Sequence, residues 1–286
     1  MAVSTASVTL AQATDAAFRA WGKALSDALT AVGLPKTTDT GQVDWATVLK
    51  PAAINTAQGD ENRRFDDTLQ ASYPIFMKIE WGSGGGATYP SLWVTFGTAR
   101  DGAGNLTGIT SVRKQLNLGA VGAGNSTLYV CGDTNRVVAM LNVDVGANTL
   151  NAGFAIERTH DSAGADTPEG FIFLTVLTAG ASTQGAFIFG TGVVNPEAAL
   201  GALLPSVGTG ASGASVALYP IFCSKGVYLN PFLNVLVAFA ANVTAGIQLS
   251  FTYYGATRAF LPLANPPAAL TVRGAVAGAC FLVRND

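Results

Sequence analysis

Residues 65–97, FDDTLQASYPIFMKIEWGSGGGATYPSLWVTFG, alternate apolar and mixed positions on either side of a glycine-rich turn. Tyr73, Ile75, Met77, Ile79 and Trp81 fall on one side of a period-two repeat, and Pro74, Phe76, Lys78 and Glu80 on the other. Successive side chains of a strand point to opposite faces, so the repeat predicts a strand with one fully apolar face. Leu92, Val94 and Phe96 supply the answering face, with Trp93 and Thr95 opposite. Glycines 82 and 84–86 release the chain between the two runs, because glycine reaches positive φ without steric cost. The stretch predicts an antiparallel pair whose apolar face packs inside the subunit.

Upstream, the period changes. Phe18, Trp21, Leu25, Leu29 and Val32 recur at spacings of three and four, the stripe of an amphipathic helix. Thr14 or Asp15 can cap its start, Gly33 its end, and Pro35 prevents continuation. Burying each large member contributes about 1.5–3 kcal/mol, so the stripe seeks cover, in its own domain or on a neighbouring subunit. Residues 1–13 read as an exposed arm, and 52–64 as a polar segment wrapped over a surface.

Downstream, apolar runs recur at intervals suited to an all-β body. Phe232–Ala240 is apolar on both sides and reads as a central strand. Residues 242–246 read as a hairpin turn leading into the alternating run Ile247–Tyr254. No short internal repeat stands out. The fold class predicted is mainly β: an N-terminal amphipathic helix followed by an antiparallel β-sandwich or jelly-roll-like body. The chain divides into an arm and docking helix (1–64), a β-hairpin region (65–118), a glycine-rich hinge (119–126) and a sandwich domain (127–286).

Charge alters this picture most. Charged residues are 12% of the chain, against about 25% in ordinary globular domains. From Gly170 onward the only charged side chains are Glu197, Lys225, Arg258, Arg273, Arg284 and Asp286. A surface so poor in charge points to a subunit covered by partners in a large assembly, a homo-oligomer among them. Net charge is −2, without a basic block, which argues against nucleic-acid binding. No run of about 18 apolar residues suggests membrane insertion. Cys131, Cys223 and Cys280 lie in apolar runs and read as buried thiols.

Catalytic motifs are weak. The glycine pattern at 208–213 matches a dinucleotide spacing by letters but lacks a following helix to receive phosphates. His160 stands in ERTHDSAGADTPEG, which reads as an exposed polar loop collecting Glu157, Asp161, Asp166 and Glu169; no nucleophile elbow accompanies it. Neither calcium-loop nor zinc spacing occurs. Catalytic, cofactor and metal residues are therefore expected to be none. Tyr219, Tyr228 and Tyr254, in the charge-poor region, are candidates for stacking on a sugar.

The segments FRAWGKALSDALTAVGLPKTTDTGQVDW, RFDDTLQASYPIFMKIEWGSG and PSLWVTFGTARDGAGNLTG, with LYPIF, NPFLNVLVAF, FTYYGATRAFLPL and a closing FLVR, resemble uncharacterised structural proteins of tailed bacteriophages. The resemblance implies a non-enzymatic virion component of the tail (fibre, baseplate or collar), assembled in the host cytoplasm and contacting other virion proteins. A host-glycan receptor module and a capsid decoration protein are the alternatives.

Overall fold

A computed structural model describes residues 2–9, 12–86, 89–111, 113–117, 125–134, 136–145, 148–178, 181–189, 197–198, 217–225, 228–239, 247–253, 255–262 and 279–286. The described chain is mainly β, with antiparallel sheets and a single helix among the described residues. In chain order, β1 (Ala2–Thr9) precedes α1 (Asp15–Ala31), and β2 (Ala57–Arg64), β3 (Phe76–Ser83), β4 (Pro90–Arg100), β5 (Leu106–Ile109) and β6 (Lys114–Asn117) follow. Next come β7 (Asn125–Asp133), β8 (Arg136–Val145), β9 (Asn148–His160), β10 (Asp166–Thr178), β11 (Ala181–Phe189) and β12 (Glu197–Ala198). The last group is β13 (Ala217–Lys225), β14 (Tyr228–Phe239), β15 (Leu249–Tyr253), β16 (Ala256–Pro262) and β17 (Ala279–Arg284).

The described strands form three sheets. One runs β1-β7-β8-β9-β10-β11-β12, the second β2-β3-β4-β5 with β6 also on β4, the third β13-β14-β17-β16-β15. The N-terminal residues are thus no free arm: β1 pairs along its length with β7, Ala2 opposite Gly132 and Thr9 opposite Asn125. Short Ser, Thr and Ala side chains give β1 little apolar signal of its own, and its partner strand supplies what orders it. Nor do β14 and β15 form a hairpin, since β17 and β16 stand between them. Residues 118–124, most of the expected hinge, and 240–246 lie outside the described residues, while Asn125 and Ser126 begin β7.

The seven-stranded sheet has two differently used faces. Register places Val130, Ala139 and Phe154 in one row and Val137, Ile156 and Ile172 in the next. These residues join one hydrophobic core with α1 and with Met77, Ile79, Trp81, Leu92, Val94 and Phe96 of β3 and β4. Cys131, Val138 and Ala155, each one residue out of phase, face the other way, as does Glu157, whose carboxylate meets β14 of the third sheet.

The helix stripe is covered inside the chain. Phe18, Trp21, Leu25, Leu29 and Val32 are all buried, Phe18 and Leu29 completely. Thr14 caps the helix by accepting the Ala17 N–H at 3.1 Å. Four aromatic rings tie α1 to β3: Phe18–Trp21 and Phe18–Trp45 centroids are 5.9 Å apart, Trp21–Trp81 5.7 Å and Trp45–Trp81 5.3 Å. Such ring pairs add about 0.5–1.5 kcal/mol each beyond buried area.

Gly22 makes the cluster possible, because a Cβ there would overlap the six-membered ring of Trp45. Gly22→Ala improves helix propensity by about 1 kcal/mol yet should destabilise the protein by about 1–3 kcal/mol through overpacking. Urea unfolding followed by tryptophan fluorescence measures the sign, and a stabilised variant would mean that Trp45 is not seated on the helix.

Candidate functional site

The ERTHD segment is no exposed loop. Glu157 and Arg158 are 0% exposed and lie within β9, which runs to His160. Only the tip at 161–165 is exposed. Asp161 closes that tip by accepting the N–H groups of Ala163 at 2.8 Å and Ala165 at 2.9 Å. Behind it, His160 Nε2 lies 3.1 Å from Asp166 Oδ1, and Arg136 Nη2 lies 3.6 Å from the same oxygen. Burial pushes the Asp166 carboxyl up, but His160 and Arg136 outweigh it and hold the group below the ordinary carboxylate range. A carboxylate shared between a histidine and an arginine fastens β9 to its neighbours β8 and β10.

Consecutive residues of a strand point to opposite faces, and Glu157 and Arg158 use this to reach both layers. Arg158 turns toward the N-terminal half. Its Nη2 donates to Asp67 Oδ1 at 3.0 Å and its Nε to Asp67 Oδ2, a two-pronged pair. It also donates to the carbonyls of Pro168 at 3.0 Å and Tyr73 at 3.2 Å, and sits 5.7 Å from the Phe65 ring centroid. Glu157 turns toward β14. Its carboxylate accepts the Leu233 N–H at 3.0 and 2.9 Å and the Asn234 N–H at 2.8 Å. Those amides fall where the β13–β14 register slips, between Pro220 opposite Leu236 and Phe222 opposite Pro231. A broken ladder leaves donors that must be satisfied elsewhere, and Glu157 satisfies them. Burial pushes its carboxyl up to about 7, against the lowering pull of these N–H groups, Arg136 and His160.

Hydrogen bonds to charged groups contribute about 1.5–3 kcal/mol, and the Arg158–Asp67 coupling should lie in that range. A double-mutant cycle with Arg158→Met and Asp67→Asn tests it by denaturant unfolding. Additive effects of the two changes would deny the pair any special role.

A second buried charged centre joins α1 to β2. Glu61 and Arg63, two apart on one face of the strand, are 0% exposed and meet at 2.8 Å. Ser26 donates to both Glu61 oxygens at 2.8 and 2.9 Å, and Trp45 Nε1 donates to Oε1 at 2.9 Å. Lys36 Nζ lies 3.3 Å from Oε1. Burial alone would raise the Glu61 carboxyl, but Arg63 and Lys36 hold it below the ordinary range. Segment 52–64 therefore is not simply wrapped over a surface, because its last residues form a strand whose Glu61 and Arg63 point into the core. The outer edge of β2 is covered in turn: Thr37 and Val43 donate their N–H groups to the Asn62 and Asp60 carbonyls at 2.8 Å.

The hairpin residues Ile75, Met77, Ile79, Trp81, Leu92, Val94 and Phe96 are 0–2% exposed. Tyr73 departs from that set at 40% exposure. It lies before Pro74 and ahead of β3, in a turn where Tyr73 N–H donates to the Leu69 carbonyl at 2.7 Å. Tyr254 lies outside the described residues, as do the side chains of Tyr219 and Tyr228, whose backbones belong to β13 and β14. Cys131 is a buried free thiol, pushed up to about 12 by burial. Among the described residues no group of three or more His, Cys, Asp or Glu is placed to hold a metal, and no helix is long and apolar enough to cross a membrane.

No family model matches the chain, and no curated protein matches it.

Proposed function

We propose that this chain is a non-enzymatic structural subunit of a bacteriophage virion, placed in the tail as a fibre, baseplate or collar component and assembled as a homo-oligomer. The observation that carries the reading is the collapse of charge toward the C-terminus, six charged side chains from Gly170 to Asp286, on a mainly β chain. A charge-poor β surface suits repeated lateral contact between subunits. The helix lends no support, since its stripe is consumed inside the chain, so the contact surface falls on the β body.

We read the seven-stranded and C-terminal sheets as the two layers of a sandwich meeting at Glu157. Strands β7 to β12 are neighbours in chain order, which favours a meander over a jelly roll.

Mass spectrometry of purified particles, with electron microscopy to locate the chain, tests the proposal. Presence in the tail is expected. A chain absent from particles and monomeric by light scattering at high concentration would end it, and density on the head would reassign it as a decoration protein.

A further inference from the structure

We propose that the C-terminal sheet is docked through a proton-linked joint at Glu157: a proton taken up by this carboxylate tightens the seat of β14 on β9, and its loss loosens it. The inference concerns the internal mechanics of the chain and does not depend on a virion role.

Burial sets the direction, against the pull of the amides. Oε1 accepts both the Leu233 N–H at 3.0 Å and the Asn234 N–H at 2.8 Å, while Oε2 accepts the second branch of the Leu233 bond at 2.9 Å. A proton placed on Oε2 costs only that branch. Both amides exposed by the slipped register keep Oε1 as acceptor. The charge that disappears is fully buried between two sheets, where an ionised carboxylate is costly unless closely paired.

Two of the surrounding cations have other partners. Arg136, opposite Glu157 on β8, is 20% exposed and shares Asp166 with His160. Arg284 on β17 pairs with Asp286 at 2.6 Å and donates to Asn234 Oδ1 at 3.3 Å. Arg258 on β16 also faces the cluster, its guanidinium held below its ordinary value by burial and then by Arg284 and Arg136. On β7, Asp133 and the buried Cys131 thiol complete the ring of titratable groups.

The docked Glu157 carboxyl titrates at about 7, against 4.5 for an ordinary glutamate. The docked state therefore binds more protons than the separated state between these values. Docking is strongest below the lower value and weakens as pH rises through the upper one. Opening of the joint should be about tenfold more frequent at pH 8 than at pH 6.

Amide hydrogen exchange of the full chain reads this directly. After correction for intrinsic exchange rates, protection of Leu233 and Asn234 should fall about tenfold between pH 6 and pH 8. In Glu157→Gln, which keeps Oε1 and imitates the neutral acid, protection should not change over that range. A flat wild type, or an equal slope in the variant, overturns the proposal. If the variant does not fold, carbon-13 titration of the wild-type Glu157 carboxyl decides: a midpoint near 7 supports the joint and one below 5 removes it.

Discussion

Ile79→Asp is expected to leave no cooperatively folded chain. Ile79 is 0% exposed and lies in register between Glu61 on β2 and Val94 on β4. A carboxylate introduced there would be buried without a cation of its own. It would also stand beside Glu61, whose charge is already committed to Arg63, since directly opposed residues have Cβ atoms about 4.5–5.5 Å apart. An unpaired buried charge costs at least several kcal/mol, and a domain has only about 5–15 kcal/mol in total. Ile79→Val, which removes one methyl and no more, should cost about 0.5–1.5 kcal/mol and separates the charge from the change in size. Circular dichroism and a thermal melt suffice. A cooperative transition in Ile79→Asp close to the wild-type temperature would mean that this face of β3 is not core.

The elements legible in the sequence are those whose burial is paid out along one short period. The helix stripe from Phe18 to Val32 and the alternation of β3 and β4 are of this kind, and the structure places them in one core. What escaped is what depends on a partner distant in sequence. β1 has only two large apolar residues, Val3 and Val8, among Ser, Thr and Ala, and it is a strand because β7 lies beside it. Glu61, Arg63, Glu157 and Arg158 were hidden by the expectation that charge means surface. Each is buried because a counter-group arrives from another element, Ser26 from α1, Asp67 from the connection after β2, or the amides of β14. Tyr73 fails in the opposite sense. It continues the apolar alternation in register, but Pro74 follows and the chain is still turning.

One turn motif occurs twice. DGAGN at 101–105 and DSAGA at 161–165 form the same closed loop. In each, Asp Oδ1 accepts two backbone N–H groups, from Ala103 and Asn105 at 2.7 and 3.0 Å and from Ala163 and Ala165 at 2.8 and 2.9 Å. The glycines, Gly104 and Gly164, take positive φ of 91° and 84°. Aspartate followed three residues later by glycine is a turn signature with a mechanism, and it marks the β4–β5 and β9–β10 hairpins.

Arg63→Ala should cost about 3–5 kcal/mol, the penalty for breaking a buried ion pair by removing one partner. The guanidinium is fully buried, and both of its Nη groups are engaged. Nη1 reaches the Leu34 carbonyl at 2.7 Å and Thr30 Oγ1 at 3.0 Å, while Nη2 reaches the Ser26 carbonyl at 2.8 Å, Ser26 Oγ at 2.7 Å and Glu61 at 2.8 Å. Without it, Glu61 retains Ser26, Trp45 and Lys36, which is 33% exposed and 3.3 Å away, too little to balance a charge in the core. The paired change Glu61→Leu with Arg63→Met removes both charges at similar volume. Such replacements are often neutral or better, although here Trp45 Nε1 and Ser26 Oγ lose an acceptor, at about 1–3 kcal/mol for each donor left unsatisfied. The double variant should therefore be less stable than wild type but clearly less damaged than the sum of its single changes, a coupling of about 0.5–3 kcal/mol. Urea unfolding of the four proteins measures it. Additive losses, or a single-variant loss under about 1 kcal/mol, would show that the pair is solvated and that β2 does not carry its charges into the core.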